Sequence, residues 1–438
     1  MRGDSLKKSA GLCLVWAAAL IGCSQGVDLK KEEDPGVPDR TVIRFVNWEG
    51  TGSSSPAMEK IIETYEASHE GITIESQVLH YNQVLDQLLI MASSGKAPDC
   101  AQIHGSMMSA LVASNVLEPL DELVSRESRE DFYENVIDPL VYDEKLMGLP
   151  WVPSPDVLYY NKELLEKAGY ERPPETSEEL YEMTEAIGQI ETEDGEDKIY
   201  GLGISSKKLP GTGYQFLPYL WAEGGNIVDE EGNVTMDTPE MKRALKQTEE
   251  MMEQGTVPVG LEVNDLRILF AAGHLGFLFE GDYGPSMFAD LSPQGSSFLD
   301  KIGAVIAPRG KDGTYMSGFY EHDLVVFSGS EHKKEAAEFI EWLSGPEAIQ
   351  IYSELAGTKT PARKSVRELD IYSEEENPDF QIFLESLDKV RAFPQQNSGF
   401  QKGMEELSEA IQRVGINHED VDTVTRELQE KVSALYKE

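Results

Sequence analysis

The sequence predicts an α/β protein of two lobes joined by three passages of backbone. Three observations predict it. Through residues 41–120, β-branched runs alternate with stretches of helical spacing, the pattern of parallel strands linked by helical crossovers. Residues 148–174 (GLPWVPSPDVLYYNKELLEKAGYERPP) hold two extended runs, the first broken by Pro150, Pro153 and Pro155. Proline fixes φ and removes a ladder donor, as expected where a chain leaves one lobe for another. At 438 residues the chain also exceeds what one hydrophobic core ordinarily serves. The expected division is 41–150 plus 323–357 for the N-terminal lobe and 155–318 plus 363–438 for the C-terminal lobe, with hinges near 151–154, 319–322 and 358–362.

A hydrophobic share of 40% marks a globular chain and not a disordered one. The formal net charge of −41 repels phosphate backbones, so no nucleic-acid partner is expected. It reads as a solvated acidic surface, with a cationic solute as the rival explanation. Arg2, Lys7 and Lys8 precede the apolar run 10–21 (AGLCLVWAAALI), the form of a secretory signal over 1–22 and too short for a spanning helix. Leu20-Ile21-Gly22-Cys23 resembles a bacterial lipobox, in which Cys23 is acylated and anchors the mature chain to a membrane outside the cytoplasm. Cys13 then leaves with the signal and Cys100 stays as a free thiol, so no disulfide framework is expected. Residues 23–40, polar and carrying Pro35 and Pro38, read as a flexible tether.

Along the chain, 41–46 (TVIRFV) is a strand and 72–79 a second. The helix between them starts at Ser55-Pro56 and turns Met58, Ile61, Ile62 and Tyr65 to one face. A helix over 80–94 ends at Gly95, and a third strand, 98–104, precedes the helix 107–114. Ligands collect beyond the carboxyl ends of parallel strands, which places Trp48, Glu49, His104 and Ser106 on one edge, with Tyr81 facing it. The acidic turn 190–198 lacks EF-hand spacing, so no calcium or other metal site is expected, and no Walker A, GxGxxG, GxSxG or HExxH occurs to imply a cofactor or the commoner catalytic sites. Strands follow at 200–204, 276–280 and 302–307, with helices at 214–225, 239–254 and 266–272. Residues 316–321 lead into 323–327 as the second passage, and helices 333–343 and 346–356 precede the third at 357–363. The remainder is helical and closes on an amphipathic stretch through Val421, Val424, Leu428, Val432 and Leu435.

Several stretches resemble one family. Residues 95–120 (GKAPDCAQIHGSMMSALVASNVLEPL) are similar to its "aG..PD" strand and "G.l.pL" segment, and 148–150 with 158–174 to its "GLP…LYYNK.l…AG…PP.T". Residues 333–362 resemble its "A.eFi.wL…e.q…PA" helix pair. The chain thus resembles the family 1 extracellular solute-binding proteins of bacterial ABC importers, the group that contains the maltodextrin-binding proteins, over nearly all of 41–438. The resemblance implies a periplasmic-binding-protein fold that closes by hinge motion around a carbohydrate, then docks on an ABC permease. It implies no catalysis and no cofactor, and monomer is the default state. One departure matters. Where the family usually reads "NGPW", this chain has Glu280-Gly281-Asp282-Tyr283, which adds acid and admits an amino sugar or another cationic solute.

Ligand candidates follow from the resemblance and the strand ends: Trp48, Glu49, Tyr81, His104 and Ser106 on the first lobe, and Tyr214, Trp221, Asp282 and Tyr283 on the second. At the second passage Gly318 permits close backbone approach, so one of Phe319, Tyr320 and Glu321 is expected to touch ligand. Phe400 corresponds roughly to another aromatic contact. Aromatic faces stack on pyranose rings and carboxylates accept from hydroxyls. The rival readings are a sensory binding protein that presents its ligand to a membrane receptor, and a secreted carbohydrate-active enzyme with paired carboxylates.

Overall fold

The computed structural model describes residues 40–50, 52–191 and 198–437. The signal segment, Cys23, the tether up to residue 39 and most of the acidic turn lie outside the described residues. The β-branched and aromatic runs become strands: Thr41–Asn47 (β1), Ile72–Val78 (β2), Cys100–His104 (β3), the short pair Val141–Tyr142 (β4) and Lys145–Leu146 (β5), Leu149–Pro155 (β6), Val157–Asn161 (β7), Tyr200–Leu202 (β8), Leu275–Glu280 (β9), Ile302–Ile306 (β10) and Phe319–Val326 (β11). One sheet runs β2-β1-β3-β11-β6 and another β10-β7-β9-β8. β1 lies parallel to β2 and β3, as crossovers through the helices Ser55–Ser68 and Val84–Ser93 require. β11 returns antiparallel to both β3 and β6. In the second sheet β7 is antiparallel to β10 and β9, and β8 is parallel to β9.

The prolines of residues 148–155 do not break their strand. β6 is continuous because it is an edge strand whose one neighbour is β11, so a missing N–H costs nothing on its open side. The ladder accommodates them by a slip: His322 faces Val152 and Asp323 faces Pro150, which leaves Trp151 as the extra residue of a bulge. β7 follows after Asp156 alone, so the two extended runs belong to different sheets, as expected.

Packing follows the apolar spacing. The helix Ser55–Ser68 buries Ala57, Met58, Ile61 and Tyr65 against the first sheet's core, and the helices Lys333–Leu343 and Pro346–Ala356 match their expected bounds to the residue. The closing helix Val421–Leu435 buries Val424, Leu428 and Val432 with Met404, Leu407 and Ile411 in the second core. Arg363 donates to Ser128 Oγ at 3.0 Å and Ser365 N–H to Asp131 at 2.9 Å, both partners on the helix Arg126–Asp131. Val366, Tyr372, Phe380, Phe383, Leu384 and Leu387 then join the first core, and Phe393 and Phe400 the second. The first core is shared by the two sheets, since Val157, Tyr159, Leu275, Leu278 and Ile302 belong to it as well, and the helix Gln381–Leu387 packs on β6 and on β7 and β10 alike.

Candidate functional site

Parallel strands end together, and the loops beyond those ends form one wall of a cavity of about 1020 Å³. Glu49 follows β1, His104 ends β3, and Ser106 lies in the first turn of the helix Gly105–Ala113. Ser154 of β6 and Tyr320 and His322 of β11 continue this wall. The facing wall comes from the second sheet: Phe279 and Glu280 at the end of β9, Asp282 and Tyr283 after it, Tyr214 and Tyr219 on the helix Pro210–Ala222, and Arg267 on the helix Val263–Ala271.

On the first wall, Glu49 accepts from Tyr352 Oη at 2.7 Å and Gln102 Nε2 at 3.4 Å. Burial pushes its carboxyl up, but His322, the hydroxyls of Tyr352 and Ser54, and Lys359 outweigh that and hold it below the usual range. His322 is itself held below its ordinary value by burial, opposed by Glu49. His104 Nδ1 meets Ser106 N at 3.2 Å and Ser106 Oγ at 2.8 Å, capping the helix. Burial, then His322, lower His104 to about 3, so its ring is neutral at pH 7. Ser106 Oγ lies near the hydroxyls of both Tyr81 and Tyr214, one from each wall.

On the second wall Arg267 grips Glu280 bidentately, at 2.5 and 2.9 Å, and donates to Tyr283 Oη at 3.3 Å. The Tyr283 hydroxyl bonds to Glu280 as well. Burial disfavours the Arg267 charge, but Glu280 beside it raises its pKa overall. Asp282 accepts from Ser154 Oγ at 2.9 Å, Thr360 N at 2.7 Å and Thr360 Oγ1 at 2.9 Å. Both acids of the Glu280-Gly281-Asp282-Tyr283 departure are thus held by protein donors.

Of the expected residues, Glu49, Tyr81, His104, Ser106, Tyr214, Asp282, Tyr283 and Tyr320 line the cavity. Trp48 stands behind the lining, edge-on to Tyr81 at 5.5 Å and His322 at 5.0 Å. Trp221 is 1% exposed in the second core, stacked on Phe393 at 5.7 Å, because its helix is buried nearly all round. Phe400 is fully buried too, edge-on to Tyr214. Phe319 and Glu321 face away from the cavity: strand alternation puts Tyr320 and His322 on one side of β11 and their neighbours on the other. The same alternation, read one residue further, would have found His322. Tyr219, Arg267, Tyr352, Lys359 and Asp156 were also missed. Away from the cavity, Glu249, Glu253 and His418 bring ligand atoms within 4.8 Å of one another, though Glu249 is already bonded to Lys246.

An α/β chain whose two sheets face each other across a cavity lined from both has the architecture of a two-lobed solute-binding protein. The sequence profile of the bacterial extracellular solute-binding proteins matches residues 49–350, and the chain belongs to that family. It is 25% identical over 425 residues to a binding protein of Brucella abortus, covering 96% of this chain and 98% of that one. It is 24% identical over 307 residues to a mannitol-binding protein of Pseudomonas aeruginosa, covering 69% and 68%. Among solved structures, an ABC transporter solute-binding protein of Thermotoga lettingae bound with α-D-tagatose superposes with a TM-score of 0.77 at 23% identity, covering 91% of this chain and all (100%) of that one. The cyclic α-maltosyl-1,6-maltose-binding protein of Arthrobacter globiformis gives 0.78 at 20% identity, covering 91% and 99%. The periplasmic-binding-protein fold expected from the sequence is the fold of this chain.

Proposed function

We propose that this protein captures a carbohydrate between its two lobes, at the extracytoplasmic face of a membrane, and delivers it unchanged to an ABC importer. The observation that carries the reading is the composition of the cavity. Tyr81, Tyr214, Tyr219, Tyr320 and Tyr352 offer ring faces for pyranoses, and Ser106, Ser154, Glu49 and Asp156 offer acceptors for hydroxyls. Relatives named for mannitol and for galactooligosaccharide support the solute class. Acylation of Cys23 supplies the anchor in this reading, and the protein works as a monomer beside its permease.

Closure is a hinge motion about three adjacent segments. Asp156 N–H donates to Gly318 O at 2.9 Å, and Arg391 N–H to Ser317 O at 2.9 Å, so the chain near 156, 318 and 391 runs side by side. We assign the three interlobe passages to these segments; contacts to solute from both walls then favour the shut state. A thermal-shift screen across mono- and oligosaccharides tests the reading. A cognate sugar at 100 times its Kd should add about 2.7 kcal/mol of stability and be recovered chemically unchanged. A response confined to metal ions or to amines lacking a sugar would defeat it.

A further inference from the structure

Four acids of the cavity wall are engaged by the protein: Glu49 by Tyr352 and Gln102, Glu262 by Lys207, Glu280 by Arg267 and Tyr283, Asp282 by Ser154 and Thr360, and a fifth, Asp290, is exposed to water. Asp156 is different. It is 5% exposed and lines the cavity, and its carboxylate has no hydrogen bond or ion pair among the described residues. Its backbone is fixed at both ends, N–H to Gly318 O at 2.9 Å and C=O to Ser317 Oγ at 2.6 Å, so the side chain is held on the wall. Burial pushes its carboxyl well above the usual range, with Glu280 adding to this and Arg267 opposing it. Tyr219 and Tyr320 line the same part of the cavity, each close enough for Asp156 to act on its hydroxyl.

A buried carboxylate without a donor is costly, and a ligand that supplies the donor recovers that cost. A neutral hydroxyl can satisfy one oxygen but gives this buried group no opposite charge. A protonated amine meets both needs, and desolvated tyrosine faces attract it further. The cations already on the wall do not fill this role: Arg267 is bonded to Glu280, and Lys359 sits over the Tyr283 ring at 5.8 Å. We propose that Asp156, flanked by Tyr219 and Tyr320, forms a subsite for a protonated amine, so that amino sugars bind in preference to their neutral counterparts. This rests on the carbohydrate reading above.

The test is a matched panel in calorimetry and thermal shift: glucosamine, galactosamine and chitosan oligosaccharides against the same sugars with hydroxyl or N-acetyl groups in place of the amine. The amine members should bind about tenfold tighter or better. In Asp156→Asn that margin should vanish while the melting temperature holds or rises. If neutral sugars bind as well as amino sugars, or the margin survives in the variant, the subsite is wrong and the carbohydrate reading stands. If no saccharide binds, both fall. Should the variant fail to fold, the amine-to-hydroxyl ratio of the natural protein decides alone.

Discussion

Glu280 and Glu321 are buried to the same degree, 3% and 2% exposed, and are held in opposite ways. Glu280 ends β9 with the Arg267 guanidinium and the Tyr283 hydroxyl on it. Glu321 has one neutral partner, Gln395, on its Oε1; its Oε2 has none, nor does either carboxylate oxygen of nearby Asp323. Burial pushes Glu321 and Asp323 up, Glu321 adding to the rise of Asp323, whereas Glu280 anchors an arginine. Depth alone does not decide the state of a carboxyl group; the donor beside it does. The one with a cationic partner shapes the cavity wall, and the other two lie on β11, turned away from it.

The contrast breaks most sharply at Arg267. Removing it leaves Glu280 buried and uncompensated, so Arg267→Ala should cost about 3–5 kcal/mol in urea unfolding. Replacing the pair together, Arg267→Met with Glu280→Leu, should return most of that loss, since two apolar groups need no donor. If the single variant unfolds at the same urea concentration as the natural protein, Glu280 is not the charged partner described.

Glu321→Gln probes the other side. Its folded pKa lies above its unfolded one, so the folded state keeps a proton that the unfolded state releases. Stability from this group is present below its unfolded value and is lost as pH rises through about 8. Glutamine keeps the acceptor for Gln395 and removes the charge, so the variant should gain roughly 1–3 kcal/mol at alkaline pH and flatten the decline. An unchanged slope of stability between pH 5 and about 8 would mean that other groups titrate there.

Where chemistry depended on local order, it was legible. Strands β1 to β3 and their crossovers follow from period and caps, and their ends then locate Glu49, His104 and Ser106 without reference to packing, while Asp282 came from the end of β9 and Tyr283 from the family resemblance. Arg267 was not legible, because its role is set by a partner on a different element. Trp221 misled because a helix buried on every side has no apolar face to distinguish wall from core. Which of Phe319, Tyr320 and Glu321 faces the cavity depended on strand phase, which one residue reverses, and the strand turns Tyr320 to it.

The smallest expected effect concerns Asp282, which joins the walls. It follows β9 of the second sheet, yet its two oxygens accept from Ser154 on β6 and from Thr360, both on first-core elements or the loop beside them. Asparagine can keep its oxygen on the Thr360 N–H and turn its amide to Ser154 Oγ, which accepts as it already does from the Asp282 N–H, but the bonds lose the strength that the carboxylate charge gave them. Asp282→Asn should therefore lose about 1 kcal/mol of stability. Because the weakened bonds span the two walls, saccharide affinity should fall with it, by about fivefold for each 1 kcal/mol of closure lost. A variant that melts earlier but binds as tightly would show that these bonds hold the fold and not the shut state, and the strap would have to be sought instead between Ser106 and Tyr214.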